Sequence, residues 1–254
     1  KGSILGSSKT GSIVYIQPEA TLQFARELNN LQYEEKQEVK RILKELTEYI
    51  RPARPLLIQY QELLSEIDVI AAKVTYAKKL NAVLPKITKS RELELKEAYH
   101  PLLYLTNKNS NKTTHPQDIS LMPDNRIIVI SGPNAGGKSI TLKTVGLLQV
   151  MLQSGMLVPV HEYSRMCFFT KVLTDIGDNQ SIENHLSTYS YRLKNMKHFL
   201  RKCDDKTLFL IDEFGTGSDP ELGGALAETF LEVFYEKNSY GIITTHYANL
   251  KKMA

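Results

Sequence analysis

Residues 132–139 constrain the fold of this 254-residue chain more than any other segment. They read Gly-Pro-Asn-Ala-Gly-Gly-Lys-Ser and match the pattern G-x-x-x-x-G-K-S/T of a phosphate-binding loop. Residues 127–130 before the loop are all β-branched, as is typical of a buried parallel strand. The apolar residues after it recur as in a helix that is buried on more than one side. Strand, glycine-rich loop and helix together predict a parallel α/β sheet that binds the phosphates of a nucleoside triphosphate.

The loop and the residue that follows it are the candidate nucleotide-binding residues. Its backbone N–H groups and the N-terminus of the helix would converge on one anionic site. Lys138 would reach the β- and γ-phosphates, and the Ser139 hydroxyl would be a ligand of Mg²⁺. The complete candidate set is Gly132, Pro133, Asn134, Ala135, Gly136, Gly137, Lys138, Ser139 and Ile140.

Two further strands supply the other candidates. Residues 207–211 form an apolar run that ends in Asp212 and Glu213. Asp212 fits a ligand on the Mg²⁺ side that acts through water, and Glu213 is placed to polarise the water that attacks the γ-phosphate. Residues 241–245 form another strand, which is followed by His246. A histidine there is either a surface residue or a ligand contact, because α/β sheets bind ligands at the carboxyl ends of their strands.

The first ninety or so residues have a different pattern. Residues 1–18 predict a hairpin, and the apolar spacing from Glu19 to Ile50 predicts a helix about 45 Å long. Pro52 and Pro55 are expected to end this helix. A second helix follows and closes at Pro85, and the short link predicts that the two helices pack as antiparallel neighbours. After these helices, the sequence predicts a half-exposed strand over residues 91–97 and a loop over residues 106–117.

Composition narrows the class of protein. A hydrophobic content of 42% is ordinary for a globular chain. The net charge of +4 says little about nucleic acid, because a dedicated DNA-wrapping surface usually shows more bias but a local basic patch does not show in this average. Cys167 and Cys203 lie far apart without metal-ligand spacing, which predicts reduced thiols and a cytoplasmic protein. No stretch reaches the roughly 20 apolar residues of a membrane-spanning helix. Because the chain begins with Lys1, we expect it to be part of a longer protein.

Four segments, in this order and spacing, resemble the ATPase domain of the MutS family, a branch of the ABC-type ATPases. They are residues 132–139, 187–190, 212–217 and 244–246. Residues 172–188 and 8–18 resemble the bacterial MutS paralogue that lacks a mismatch-reading domain. The helical half resembles the core and lever region of the family. The resemblance covers essentially the whole chain.

The resemblance implies the fold and the domain boundaries. Residues 89–254 would form an α/β P-loop ABC-type ATPase domain, a mostly parallel sheet with flanking helices. Residues 1–88 would form a mainly helical core or lever domain with an N-terminal hairpin.

The resemblance also implies a composite site that uses ATP and Mg²⁺. Ser139 and Asp212 would hold Mg²⁺, Glu213 would be the catalytic acid, and His246 would contact the γ-phosphate. The segment that reaches the ATP of the partner subunit would contain Ser187, Thr188 and Ser190, so the working unit would be a homodimer. Tyr189 stands where the family usually has Phe. Tyr99 stands before His100 where an Arg is usual, and this leaves the family's adenine-side contact unassigned.

The function implied is that of an ATP-driven dimeric clamp of the MutS paralogue type. It would act on branched or recombining DNA, with a role in DNA repair and anti-recombination, or on stalled ribosomes. Any nuclease activity would lie outside this chain. The alternative is the ATPase part of a mismatch-repair MutS protein that binds mismatched DNA.

Two further alternatives belong to other classes. An ATPase of the chromosome-arm type would need long heptad runs, for which the helix from Glu19 looks too short. A nucleotide-binding scaffold without activity is disfavoured by the intact Lys138, Asp212 and Glu213.

Overall fold

The computed structural model describes residues 2–132, 136–177, 188–214 and 220–247, without the side chains of residues 188–192 and 220–222. The α-helices are α1 (Leu22–Ile50), α2 (Arg54–Leu80), α3 (Pro101–Asn109), α4 (Lys138–Gln153), α5 (Thr188–Lys202) and α6 (Pro220–Glu236). The strands are β1 (Gly2–Ser7), β2 (Val14–Pro18), β3 (Lys86–Ile87), β4 (Leu93–Ala98), β5 (Gln117–Leu121), β6 (Ile127–Ser131), β7 (Arg165–Met166), β8 (Lys171–Asp175), β9 (Thr207–Ile211) and β10 (Tyr240–Thr245). The chain divides into two compact units, residues 1–69 and residues 70–254.

The first unit opens with the hairpin that the sequence predicts. β1 and β2 pair in antiparallel fashion, with Gly2 opposite Pro18 and a register shift near Gly6. A 3-10 turn, Glu19–Thr21, follows the hairpin, so α1 begins at Leu22 and not at Glu19. α1 has 29 residues and therefore a length of about 43 Å.

The predicted antiparallel pair of helices is wrong. A 3-10 turn, Arg51–Ala53, joins α1 directly to α2. The backbone angles of Ile50, Arg51 and Arg54 are all right-handed helical, so the chain does not reverse here. The two prolines fall in the 3-10 turn and in the first turn of α2, where a fixed φ near −65° suits a helix and a missing N–H is tolerated.

The helical part of the first unit has no core of its own. No residue between 2 and 69 is buried. Charged side chains line α1, where Arg41 pairs with both Glu38 and Glu45, as the sequence predicts for a solvated face. Apolar residues nevertheless recur at alternating intervals of three and four residues, the spacing of a heptad seam. In the first unit the residues of this seam are all exposed: Val39, Ile42, Leu46, Tyr49, Ala53, Leu56, Tyr60, Leu63 and Ile67. The same spacing continues along α2 with Ile70 and Val74, which are exposed, and Ala77, which is buried.

The second unit is built on a parallel sheet with the strand order β6-β10-β9-β8. All five residues of β9 are buried, and their side chains alternate between two cores. Leu208 and Leu210 pack with α4 on one face, whereas Phe209 and Ile211 pack with α5 and α6 on the other. The prediction of a mostly parallel sheet with flanking helices is therefore confirmed.

A second sheet, in the order β3-β7-β4-β5, adjoins the same core. β4 alternates between buried and more exposed residues at its start, which confirms the half-exposed strand expected near residues 91–97. The loop expected over residues 106–117 is wrong at its start, because α3 continues to Asn109. The predicted end of the second helix at Pro85 is also wrong, because α2 ends at Leu80. Asn81, the next residue, has a φ of 51°, which is outside the right-handed helical region.

Within the described ranges, the helices are either too short or too polar to cross a membrane.

Candidate active site

The predicted site residues follow strands of one parallel sheet. β6, β10, β9 and β8 run in the same direction, so their carboxyl ends meet at one edge. Gly132 follows β6, His246 follows β10 and Asp212 follows β9, while Asp175 ends β8. This is the edge at which parallel α/β sheets bind ligands.

The described part of the phosphate loop needs its glycines for backbone reasons. Gly132 and Gly137 have φ values of 153° and 79°, which disfavour any side chain. Gly137 is also the residue before α4 and turns the chain into the helix. Pro133, Asn134 and Ala135 lie outside the described residues.

Lys138 is the first residue of α4, and its side chain is 5% exposed. Its ammonium group donates a hydrogen bond to the carbonyl oxygen of Gly132. Ser139 and Ile140 follow in the first turn and are half-buried. The first turn of a helix has free N–H groups and a partial positive charge, so these residues surround a position that favours an anion.

Backbone hydrogen bonds to the two neighbouring strands hold the segment that carries the two acidic residues. The Asp212 N–H donates to the carbonyl oxygen of Asp175 at 2.8 Å, and the Phe214 N–H donates to that of Thr244 at 2.7 Å. Glu213, between them, has a φ of 51°. A non-glycine residue in this region is strained by about 1–3 kcal/mol and persists only when its surroundings hold it. Both acidic residues are half-buried, whereas Phe214 is buried.

Thr244 is a site residue that the sequence reasoning missed. Its hydroxyl group donates to Oδ1 of Asp212 at 2.5 Å and accepts the N–H of Glu213 at 2.8 Å. Thr244 is fully buried on β10. Thr244 lies in the segment 244–246 that resembles the MutS family, but neither that resemblance nor its place at the end of an apolar strand reveals what the hydroxyl group contacts.

His246 is exposed at the carboxyl end of β10, where the sequence predicts it. The turn after the strand is held by Thr245, whose hydroxyl group donates to the carbonyl oxygen of Phe214 and accepts the N–H of Tyr247. A contact of His246 with a γ-phosphate stays a prediction.

The expected trans segment is described only in part. Ser187 lies outside the described residues, and Thr188 and Ser190 lie in the first turn of α5 without described side chains. The same helix is connected to the sheet edge, because Nδ2 of Asn195 donates to Oδ1 of Asp175 at 3.3 Å. The role of the segment in a partner subunit stays a prediction.

His100, in the segment that resembles the adenine-side loop, has a structural role. Its Nδ1 accepts the N–H of Leu103 and thereby caps α3. Burial lowers the pKa of the His100 imidazole, and the positive charge of Lys143 on α4 lowers it further. Tyr99 packs edge-on against Tyr104, with ring centroids 5.2 Å apart. The adenine contact stays unassigned.

The residues at this sheet edge include oxygen ligands of the kind that Mg²⁺ takes. Among the described residues, no group of three or more His, Cys, Asp and Glu side chains could hold a metal. Mg²⁺ does not need such a group, because it is usually held by one or two protein oxygens together with phosphates and water. Ser139 and Asp212 offer a hydroxyl and a carboxylate oxygen of the required kind.

Comparison with known proteins identifies the family. Residues 128–254, half of the chain, match the model of MutS domain V. This chain belongs to the MutS family. Over all 254 residues it is 42% identical to the Endonuclease MutS2 of Finegoldia magna and 41% identical to that of Caldicellulosiruptor bescii. It covers 32% of each of these two proteins, so the chain spans about a third of the length of the curated relatives it matches.

The resemblance to the MutS family that the four motifs indicate is thus confirmed. The paralogue branch is confirmed as well, since both relatives are named MutS2. Family membership also decides against the chromosome-arm type of ATPase. From the sequence, the helix from Glu19 looks too short for the long heptad runs of that type. This reason against it does not hold, because the heptad seam continues from α1 into α2.

Proposed function

We propose that this chain is the Mg²⁺-dependent ATPase part of a MutS paralogue, with an ABC-type P-loop fold over residues 89–254. The observation that carries the proposal is the meeting of the phosphate loop, Asp212, Glu213 and His246 at one edge of a parallel sheet. Family membership supports nucleotide use, because the matched domain V contains all of these residues.

Each residue has a role that follows from its position. Lys138 would exchange the Gly132 carbonyl for phosphate oxygens, and the backbone N–H groups of residues 132–140 would bind the remaining phosphate charge. Ser139 and Asp212 would hold Mg²⁺, which neutralises charge on the transferred phosphoryl group. Glu213 would orient and polarise the attacking water, and His246 would contact the γ-phosphate from the end of β10.

The working unit would be a homodimer. In an ABC-type sheet a γ-phosphate at this edge would be open to solvent, and negative charge would develop there during transfer. Ser187, Thr188 and Ser190 from a second subunit would exclude water and stabilise that charge, which couples closure of the dimer to hydrolysis. The bond from Asn195 to Asp175 supports this coupling, because it joins α5 to the edge that carries the acids.

In the whole protein, residues 1–88 would serve as the helical core or lever of a clamp, which the ATPase opens and closes. The clamp would hold branched or recombining DNA, consistent with repair and anti-recombination, or a stalled ribosome. The relatives are named endonucleases, and nuclease activity in the whole protein would lie outside this chain. Binding of mismatched DNA is the alternative, which family membership alone leaves open.

Sedimentation velocity and phosphate release, with Glu213→Gln beside wild type, test the ATPase and the dimer together. We expect wild type to release phosphate with Mg²⁺-ATP, and the variant to bind ATP, release no phosphate and persist as a dimer. Glu162→Gln, which alters an exposed carboxylate on another loop, is the matched control. Equal phosphate release by Glu213→Gln would refute the role of Glu213. Monomers under all conditions, with hydrolysis independent of protein concentration, would refute the composite site.

A further inference from the structure

The hydroxyl group of Thr244 sits between the two acidic residues that follow β9. It uses its single proton for Oδ1 of Asp212, and its oxygen accepts the N–H of Glu213. Thr244 is fully buried, so water does not compete for either hydrogen bond. One atom of β10 therefore fixes a carboxylate oxygen of Asp212 and the backbone of Glu213 at the same time.

The backbone of Glu213 depends on this contact. At a φ of 51° the residue lies in the left-handed region, which a glutamate rarely adopts. The hydroxyl of Thr244 holds the N–H of Glu213, and the carbonyl oxygen of Thr244 holds the N–H of Phe214. Both restraints come from one residue of the neighbouring strand, so the direction in which the Glu213 side chain leaves the backbone is set from β10.

We propose that Thr244 is a positioning residue for ATP hydrolysis, which holds Asp212 in the orientation for Mg²⁺ and Glu213 in the orientation for the attacking water. This inference rests on the proposed function and adds a residue to it. It also connects two strand ends, because His246 lies two residues beyond Thr244, directly after β10. A displacement of Thr244 at the end of β10 would then move both acidic residues, because one hydroxyl group is hydrogen-bonded to both of them.

The chain offers a matched set of variants. Thr244→Val keeps the size and branching of the side chain and removes both hydrogen bonds, whereas Thr244→Ser keeps the hydroxyl. Thr207→Val is the control, since Thr207 is equally buried but lies at the amino end of β9, away from the site edge. Its hydroxyl also donates to an aspartate carboxylate and accepts a backbone N–H, both of Asp204. A loss caused only by weakened folding would affect Thr244→Val and Thr207→Val alike.

We expect Thr244→Val to lower kcat for ATP hydrolysis by about 10- to 100-fold, the usual effect of removing an outer partner of a metal or catalytic carboxylate. KM for ATP should stay unchanged, because the phosphate loop is untouched. The Mg²⁺ concentration for half-maximal rate should rise. Thr244→Ser should recover most of the rate, and Thr207→Val should retain it. An unchanged kcat in Thr244→Val, or an equal loss in Thr207→Val, would overturn the inference.

A second readout separates this inference from the proposed function. Amide hydrogen exchange at Glu213 should accelerate in Thr244→Val and stay at the wild-type rate in Thr207→Val, with or without ATP turnover. If wild type hydrolyses no ATP, the proposed ATPase function is wrong and the role of Thr244 in hydrolysis falls with it. If wild type hydrolyses ATP but Glu213 exchanges equally in all variants, only the role of Thr244 is wrong.

Discussion

The ammonium group of Lys138 donates a hydrogen bond to the carbonyl oxygen of Gly132, which joins the two ends of the phosphate loop. The cation thus lies buried against the loop that it is expected to serve, at the N-terminus of α4. A phosphate that binds in this loop would meet a positive charge already held in place. Less side-chain freedom would then be lost on binding, which favours affinity.

Removal of this charge should weaken ATP binding. We expect Lys138→Met to reduce the affinity for Mg²⁺-ATP by about 10- to 100-fold, the loss of one hydrogen bond to a charged group. Titration with a fluorescent ATP analogue measures the change. Lys143→Met, on the exposed side of the same helix, is the control and should bind as wild type does. Equal affinity of the two variants would contradict the role of Lys138.

Gly241 is expected to tolerate no side chain. A Cβ atom there would lie 2.3–2.4 Å from three ring carbons of Phe209 on the neighbouring strand. We predict that Gly241→Ala lowers the free energy of unfolding of the second unit by about 1–3 kcal/mol, measured by urea denaturation. Phe209→Leu should create space, so the double variant should be more stable than the sum of the single effects predicts. Simple additivity would show that the ring is not the obstacle.

Both cysteine thiols should be unreactive in the folded chain. Burial raises the pKa of the Cys167 thiol and that of the Cys203 thiol to about 11 each. The reactive thiolate is therefore scarce at pH 8. We expect a thiol reagent such as DTNB to label the native chain slowly at pH 8, and to label both cysteines rapidly in urea. Rapid labelling of the native chain would contradict the buried placement of Cys167 and Cys203.

The first unit should be far less protected against hydrogen exchange than the parallel sheet. No residue from 2 to 69 is buried, whereas every residue of β9 is. Protection depends on the free energy of local opening, which buried apolar contacts supply. In the 254-residue chain we therefore expect amides of α1 to exchange well before those of β9. Similar exchange times for the two elements would mean that α1 gains its stability from another source.

The candidate site residues could be located from the sequence where a local pattern carries its own geometry, and their roles in binding and catalysis stay predictions. The phosphate loop is contiguous, and its glycines and lysine follow from how a backbone wraps a phosphate. Asp212 and His246 were found because each follows an apolar run, and the carboxyl ends of parallel strands share one edge. Thr244 and Asp175 were not assigned, since their roles depend on contacts with Asp212, which lies 32 positions before Thr244 and 37 positions after Asp175.

The helical half was predicted less well. Apolar spacing predicts both helices, but the reversal of the chain that the prolines predict is wrong. Proline ends a helix only where its ring or its missing N–H conflicts with the preceding turn, and a short 3-10 turn avoids that conflict. The direct passage of the chain from α1 through the 3-10 turn into α2 follows from this local backbone geometry.

The sequence by itself determined the family, the parallel sheet, the phosphate loop and the positions of Asp212, Glu213 and His246, because these depend on residues adjacent in the chain. Only the tertiary structure decided that Thr244 holds both acidic residues, that Asn195 joins α5 to Asp175, and that Phe209 fills the space beside Gly241. The physical reason is that hydrogen bonds and steric contacts between strands and helices depend on register and packing, which local patterns do not encode.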